Sequence, residues 1–361
     1  MKKRKIFSGD RVLFFIPLGL SIFGLLSVLN ASSATALETF NDKYYFFNKQ
    51  ALFFVLGLIS FFFFSFFDYK RLKKFALPFF FFNLLLLIIV LIPGIGRQVY
   101  GGRRWLPLGV FGFQPAETTK LAMIIYLSSL LEKKKHLTTF LGIIGLVLIL
   151  VMLEPDMGTA GIITITAVCL FFLAETPLKD VLAVIGLGLV SVPMLILTSS
   201  YRKKRFLEFL SSSLDKEKTS YHVKQILISL GSGGFWGRGF GQSRQKYSFL
   251  PEAATDSIFA VIAEEFGFLG ASFLIFIFIF FIIRGFNMSL EVKDFFGRML
   301  SLGIIFMIGI QAIINFSSMV ALTPLTGVPL PFISYGGSSL LVSFSATGIL
   351  YNISRQLKKI K

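Results

Sequence analysis

Apolar runs long enough for membrane-spanning helices recur from one end of the chain to the other, separated by shorter polar, glycine- or proline-containing segments. A helix needs about 20 apolar residues to cross a bilayer, whereas barrel strands are about half as long and alternate apolar with polar residues. No such alternation is present. The pattern predicts ten spans, over residues 12–30, 51–67, 76–93, 115–131, 138–153, 158–174, 179–199, 256–283, 299–319 and 336–353.

Composition supports the same class. Hydrophobic residues make up 55% of the 361 and charged residues 15%, whereas soluble proteins carry about 25% charged residues. We therefore expect an all-α, polytopic membrane protein with a single domain over residues 1–361. One cysteine (Cys169) and two histidines (His136 and His222) exclude a zinc site of the usual His/Cys kind. A magnesium or manganese ion held by carboxylates stays open, and we expect no organic cofactor.

The basic residues indicate the topology. The net charge is +17, which in a soluble protein would suggest nucleic-acid binding. With the N-terminus inside, however, cytoplasmic segments carry 20 lysines and arginines, against 5 in the outer segments other than residues 200–255. This bias predicts that both termini face the cytoplasm. A cleaved signal peptide is the alternative for the basic start, but the first apolar run is longer than usual for one.

Residues 200–255 are predicted to form a large extracytoplasmic loop between the seventh and eighth helices. The loop holds ten basic residues, and either a solvated loop or a site for phosphate or lipid head groups accounts for them. Its glycine-rich part, GSGGFWGRGFGQSRQK, lacks the strand–loop–helix context of a dinucleotide site. A backbone anion site and a flexible or re-entrant loop both stay open there.

Two further clusters lie on the predicted outer side. In GGRRWLPLGVFGFQPAETTKLAM, Arg103 and Arg104 lie near the membrane, and Glu117 and Lys120 are three residues apart on one helix face, where they can pair. This pair fits helix packing or a polar cavity. In LEPDMGTAG, the carboxyl groups fit either ordinary turn chemistry or the acidic wall of an external site. The residues concerned there are Glu154 and Asp156.

A carboxylate lies at the membrane boundary in LPEAATDSIFAVIAEE. Thr255 or Asp256 is placed to cap the following helix, and Asp256 is equally placed for catalysis. Glu264 and Glu265 lie roughly 12–13 Å deeper along that helix, too far to touch Asp256, and must find partners within the bundle. In TPLTGVPLPFISYGGSSL, three prolines prevent a regular helix, and irregular backbone at membrane depth indicates a buried or cavity-lining segment. All these clusters converge on one external cleft.

These motifs together resemble the SEDS family (shape, elongation, division and sporulation proteins, among them FtsW, RodA and SpoVE). The resemblance rests on GRRWLPLG, QPAETTKLA, EPDMGTA, the block from GSGG to IFAVIAEE, and LPFISYGGSSL, in order over nearly the whole chain. LPEAATDSIFAVIAEE and FISYGGSSL are closer to FtsW, whereas TPLTGVPLPF also suits RodA. An FtsW-like protein is favoured, and a role in division or in elongation stays open.

The resemblance implies a peptidoglycan glycosyltransferase in the bacterial cytoplasmic membrane. Such an enzyme polymerises lipid II, an undecaprenyl-pyrophosphate-linked disaccharide peptide, at the outer leaflet, together with a class B penicillin-binding transpeptidase. The family's essential aspartate falls on Asp256, and its other motif residues, which we expect to bind the substrate, fall on Glu117, Lys120, Glu154 and Asp156. The leaving pyrophosphate needs positive charge, and the candidates to supply it are Arg103, Arg104, Arg238, Arg244 and Lys246. Ala254 and Ser257 depart from the family pattern, which often has His and Phe there. A lipid II flippase and a non-catalytic scaffold for the transpeptidase are the rival functions.

Overall fold

The structure is a computed structural model that describes residues 9–99, 102–109, 111–133, 136–198, 202–203, 205–207, 209–210, 220–247 and 249–360. Over these residues the fold is helical, as predicted. The helices are α1 Val12–Phe40, α2 Tyr45–Phe66, α3 Tyr69–Leu91, α4 Pro115–Lys133, α5 Leu137–Leu153, α6 Met157–Leu173, α7 Leu178–Leu197, α8 Tyr221–Gly233, α9 Ile258–Leu290, α10 Phe295–Met319 and α11 Gly337–Ile360.

Each of the ten predicted spans coincides with a helix. Among the described residues, α1, α2, α3, α7, α9 and α10 are long and apolar enough to cross a membrane, and α5 and α6 are shorter apolar helices. Several helices run past the predicted bounds, because a helix continues into the interface after its apolar run ends. The burial of these helices is uneven: 72% of the apolar window of α10 is buried, against 12% of that of α7. Helix α10 is therefore central, and α7 presents apolar side chains such as Leu189 and Val190 outward.

Two parts of the chain predicted as loop contain regular structure. Between α3 and α4, strands β1 Arg97–Val99, β2 Gly102–Leu108 and β3 Phe111–Phe113 form an antiparallel sheet in the order β1-β2-β3. Within residues 200–255, the prediction of a loop is wrong for 221–233, which form α8 and pack along α9. Helix α8 is 13 residues long, mixes polar with apolar residues and ends in glycines, so it lacks the continuous apolar run of a span.

Helix α9 is broken at Gly267, whose φ of 66° and ψ of −168° are not helical. Residues 234–246, which we call the strap, satisfy the backbone groups that the break exposes. The amides of Arg238 and Gly239 donate to the carbonyls of Glu264 and Glu265, and the amides of Phe268 and Leu269 donate to carbonyls of the strap. A side chain at Gly237 would collide with the Glu265 carbonyl. The strap is therefore fitted into the break, as irregular backbone at membrane depth requires.

Buried amide side chains hold the proline-containing segment between α10 and α11, as its position at membrane depth requires. Gln50 of α2 donates to the Ser334 carbonyl and accepts from the Gly336 amide, at 3.0 and 3.2 Å. Gln311 and Asn315, four residues apart on one face of α10, donate to the Pro329 and Val328 carbonyls. The irregular segment is thus satisfied by the protein itself.

Candidate functional site

Asp256 lies two residues before the start of α9, in residues 251–257, a short way along the chain from the strap. The N-cap of α9 is Ser257, which makes no side-chain cap hydrogen bond. The expectation that Thr255 or Asp256 caps this helix is therefore wrong, because the turn carries the chain one residue further before helical geometry begins. The Asp256 carboxylate instead accepts a hydrogen bond of 3.0 Å from the Thr255 hydroxyl.

The surroundings of the Asp256 side chain raise its pKa above the ordinary value for an aspartate. The residue exposes 8% of its surface. Burial, followed by the negative charge of Glu252, raises its pKa to about 6, although the Thr255 hydroxyl and the positive charge of Arg205 act in the opposite direction. A carboxyl group with a pKa near neutrality can both take and release a proton at physiological pH.

Residues 251–257 are held in place by hydrogen bonds from α10, from α8 and from the segment before α11. Asn315 donates from its side-chain amide to the Asp256 carbonyl at 2.9 Å, and the Tyr335 amide donates to the Ala254 carbonyl at 2.8 Å. The ring of His222 on α8 lies with Nε2 2.9 Å from the Ser257 hydroxyl oxygen. The hydroxyl of Ser257 thus has a partner on α8.

The predicted pair Glu117–Lys120 is present and is part of a longer network. Lys120 Nζ donates to Glu117 Oε1 at 2.9 Å and to Gln311 Oε1 at 2.7 Å, and both charged residues expose 3% of their surface. Gln311 in turn donates to the Pro329 carbonyl at 2.9 Å. The ion pair therefore supports, through α10, the same irregular segment that Asn315 links to Asp256.

Glu154 and Asp156 lie at the turn between α5 and α6, and their environments differ. Asp156 caps α6 by accepting from the Thr159 amide at 3.0 Å, and it also accepts from Gln114. The two carboxyl oxygens of Glu154 are fully buried and make no hydrogen bond to any residue that the structure describes. Burial, with the charge of Asp156 adding to it and that of Arg104 opposing it, raises the pKa of Glu154 to about 9. Glu154 is therefore protonated at neutral pH.

The five basic candidates divide into two groups. The Arg104 guanidinium donates to the carbonyls of Glu154 and Pro155 at 2.8 and 2.6 Å. Lys246, which exposes 4%, donates to Asn30 Oδ1, to the Gly241 carbonyl and to Glu265 Oε1. These two cations hold the protein together. Arg103 is partly exposed, and Arg238 and Arg244 are exposed. Arg238 also donates to the Ser232 carbonyl at 3.0 Å and lies 3.8 Å from Glu264 Oε1, but 34% of its side chain stays exposed.

The partners that Glu264 and Glu265 need are supplied mainly by the strap. Glu264 accepts from the Ser243 hydroxyl at 2.6 Å and from the Arg244 amide at 3.1 Å. Glu265 accepts from the side-chain amide of Asn30 and from Lys246. The expectation that both find partners within the bundle is confirmed for Glu265, through Asn30 of α1, and is wrong for Glu264, whose partners lie on the strap. Their role here is to hold the strap, and through it Arg238 and Arg244, beside α9.

Sequence reasoning missed four polar residues that the structure places around Asp256 or its supports. These are Gln50, His222, Gln311 and Asn315. The signal for Gln311 and Asn315 was present: two amides at a spacing of four residues inside a predicted apolar span share one helix face. His222 gave no such signal, because its partner lies 35 residues away in the sequence.

Comparisons with known proteins agree with this architecture. The family model described as "Cell cycle protein" (FTSW_RODA_SPOVE) matches residues 10–359. Stage V sporulation protein E of Bacillus subtilis is 38% identical over 96% of this chain and 97% of its own length. The probable peptidoglycan glycosyltransferase FtsW of Trichlorobacter lovleyi is 38% identical over 97% of this chain and 94% of its own.

Two solved structures share the fold over nearly the whole chain. A chain from the structure reported as "Structural coordination of polymerization and crosslinking by a peptidoglycan synthase complex" matches with a TM-score of 0.80 and 25% identity, covering 97% of this chain and 99% of that one. The rod shape determining protein RodA of Thermus thermophilus matches with a TM-score of 0.72 and 26% identity, covering 97% and 98%. This protein therefore belongs to the FtsW/RodA/SpoVE family of multi-pass membrane proteins.

Proposed function

We propose that this protein is a peptidoglycan glycosyltransferase that extends glycan strands from lipid II, with Asp256 as the general base. The glycosyltransferase activity is that of the FtsW relatives, which match over nearly their full length. The observation that supports the residue assignment is the environment of Asp256: a carboxyl group with a pKa of about 6, held at the end of the bundle.

In the proposed step, the Asp256 carboxylate takes the proton from a sugar hydroxyl of the acceptor as that oxygen attacks the anomeric carbon of the donor. The bond from that carbon to the lipid pyrophosphate breaks, and the pyrophosphate leaves with the bonding electron pair. The donor linkage is α and the product linkage is β, so one inverting displacement accounts for the stereochemistry. Base catalysis of this kind contributes about 10²–10⁴ in rate.

The leaving pyrophosphate needs positive charge, and the exposure of the basic side chains favours some candidates over others. Arg103, Arg238 and Arg244 are at least partly exposed, and two of them lie on the strap directly before the Asp256 segment. The Arg104 guanidinium donates to two backbone carbonyls, and Lys246 is buried among its protein partners. Arg238 also has protein partners, but 34% of its side chain is exposed. We propose that the first three contact the pyrophosphate and that the other two position the turn and the strap.

The remaining acidic and basic candidates support the site from within the bundle. Glu117, Lys120, Glu154 and Asp156 are all buried, so we assign them to the walls of the cleft, with substrate contacts left to the exposed arginines. A divalent cation would be an addition to this site: magnesium is commonly held by one or two carboxylates together with substrate phosphates. Among the described residues, no group of three or more acidic, His or Cys side chains forms a protein cage for one.

The partner and orientation follow from the same family context. We propose that a class B penicillin-binding transpeptidase cross-links the strands that this protein makes, because a similar chain is part of a complex described as coordinating polymerization and crosslinking. Both termini are assigned to the cytoplasm on the distribution of basic residues. That orientation places Asp256 at the outer leaflet of the cytoplasmic membrane.

The experiment that separates the three candidate functions uses the purified protein in vesicles with fluorescent lipid II, with and without its transpeptidase. Polymer that grows with time and contains the label supports a glycosyltransferase. Transfer of label between leaflets with no polymer would establish a flippase. Neither process, with the transpeptidase still bound, would establish a scaffold.

A further inference from the structure

His222 contacts both ends of the segment that carries Asp256. Its Nε2 lies 2.9 Å from the Ser257 hydroxyl oxygen, and the backbone of Pro251 acts on the ring as a hydrogen-bond partner that raises the pKa of His222. Since a proline backbone has no N–H, the acceptor there is the Pro251 carbonyl. One imidazole on α8 therefore joins the residue just after Asp256 to the residue at the start of the segment.

The two partners determine which nitrogen of the His222 ring donates and which accepts. A carbonyl accepts only, so the ring donates to Pro251, and in the neutral imidazole the other nitrogen accepts the Ser257 hydroxyl proton. The charged groups facing the ring are Glu252, from the same segment, and Arg205, and they act in opposite directions. Burial has the largest effect and lowers the pKa of His222, which keeps the ring in the neutral form that suits both partners.

Ser257 is well placed to pass this constraint to Asp256. It is fully buried, it is the next residue in the chain, and its backbone amide also donates to the Glu252 carbonyl. Movement of Ser257 would therefore move the Asp256 backbone directly. Asn315 holds that backbone from the side of α10, and His222 holds it from the side of α8.

We propose that His222 is a positioning residue for Asp256: its imidazole clamps Pro251 and Ser257 to α8 and so fixes the orientation of the carboxyl group between them. This inference rests on the proposed role of Asp256 and deepens it. Helix α8 runs directly into the strap that carries Arg238 and Arg244. The same clamp therefore ties the proposed base to the proposed pyrophosphate ligands.

The test compares His222→Ala, His222→Gln, Ser257→Ala and the double variant His222→Ala/Ser257→Ala, with lipid II as the substrate. We expect His222→Ala to lower kcat about 10–100-fold, because small displacements of a catalytic group cost this much, with KM changed less than twofold. Glutamine offers one donor and one acceptor, so His222→Gln should recover most of the lost kcat. The double variant should lose no more than the worse single variant, as expected for two residues acting through one contact.

The controls separate this inference from a general loss of folding and from the proposed function. His136→Ala, which removes the other histidine from the exposed start of α5, should leave kcat unchanged. If His222→Ala does not yield monodisperse protein, Ser257→Ala and His222→Gln decide the matter. A wild-type kcat in both Ser257→Ala and His222→Ala would overturn the clamp. It would also be overturned if the kcat loss of the double variant equalled the product of the two single losses. Asp256→Ala is measured alongside and tests the proposed base. If Asp256→Ala is inactive while His222→Ala is fully active, the clamp is refuted and the assignment of Asp256 as the base stands.

Discussion

The side-chain amide nitrogen of Asn315 lies 2.9 Å from the backbone carbonyl oxygen of Asp256 and donates a hydrogen bond to it. The same nitrogen lies 2.8 Å from the Val328 carbonyl oxygen. One fully buried side chain on the central helix α10 therefore joins the proposed catalytic segment to the irregular segment before α11. The position of Asp256 depends on the interior of the bundle as well as on its own loop.

Replacing Asn315 by leucine should impair both stability and activity. Two buried carbonyls would lose their donor, which costs about 1–3 kcal/mol for each buried polar group left unsatisfied. We expect polymerisation to fall about 10–100-fold because Asp256 is no longer fixed. Ser318→Ala is the matched control, since among the described residues the Ser318 hydroxyl donates to a carbonyl of its own helix. Equal activities in the two variants would show that the Asn315 contact is dispensable.

The pKa of Asp256, which the charge of Glu252 helps to raise, should set the acidic limit of the pH–rate profile. The base acts in its ionised form, and the pKa of Asp256 is raised to about 6, so activity should fall as the pH drops below about 6. Glu252→Gln removes a negative charge that raises this pKa, so the acidic limb of kcat/KM should move to lower pH. The measurement is kcat/KM on lipid II between about pH 4.5 and 8.

The control for that shift is Glu175→Gln. Glu175 is exposed and has a left-handed backbone like Glu252, with φ values of 59° and 52°, but it lies between α6 and α7. Its replacement should leave the profile in place. An acidic limb that does not move in Glu252→Gln would contradict the assignment of that limb to Asp256.

Glu154 should make the fold less stable as the pH rises. The folded-state pKa is raised to about 9 from the ordinary 4.5, so between these values the folded protein holds a proton that the unfolded chain has released. Stability then falls with rising pH, by at most about 1.4 kcal/mol for each pH unit. Glu154→Gln mimics the protonated form and should remove this loss, so its Tm should exceed that of the wild type increasingly from pH 6 to pH 9.

Glu38 of α1 provides the comparison for Glu154, because it is exposed whereas Glu154 is buried. Glu38→Gln and the wild type should lose Tm in parallel over the same pH range. If Glu154→Gln also follows the wild type in parallel, the Glu154 carboxyl group is ionised and has a partner or solvent in the folded protein.

Lys246 and Arg244, two residues apart on the strap, should behave differently when their charges are removed. Lys246→Met leaves Glu265 buried without its cation, which costs about 3–5 kcal/mol, so the yield of folded protein should drop. Arg244→Gln should leave Tm unchanged and raise KM for lipid II about 10-fold, since a hydrogen bond to a charged group contributes about 1.5–3 kcal/mol. Thermal unfolding and steady-state kinetics measure the two effects.

A rescue experiment checks the structural role of Lys246. Replacing both members of the buried pair with apolar residues is often neutral, so Lys246→Met/Glu265→Leu should fold better than Lys246→Met alone. If Lys246→Met folds normally and raises KM instead, Lys246 belongs with the pyrophosphate ligands.

The sequence predicted the parts of this structure that depend on local pattern. Long apolar runs located the helices, a spacing of three residues located the pair Glu117–Lys120, and the depth of Glu264 and Glu265 along α9 required partners. The three-stranded sheet was missed because β1 and β3 are three residues long, too short to show alternation.

Contacts between distant parts of the chain were beyond local pattern. Lys246 was a candidate ligand for the pyrophosphate because of its charge, and only the tertiary fold places it against Asn30, 216 residues away. The same holds for Asn315 and His222, whose partners are set by the packing of α10 and α8 against the Asp256 segment. The identity of the supporting residues therefore had to come from the structure.

The central claim is that Asp256 is the general base, and the most direct test is the turnover of lipid II by Asp256→Asn protein with its transpeptidase present. Asparagine keeps the shape of the side chain and cannot take the proton, so the account predicts a loss of about 10²–10⁴ in kcat with unchanged Tm. Folded, partnered Asp256→Asn protein that extends glycan strands at the wild-type rate would contradict it.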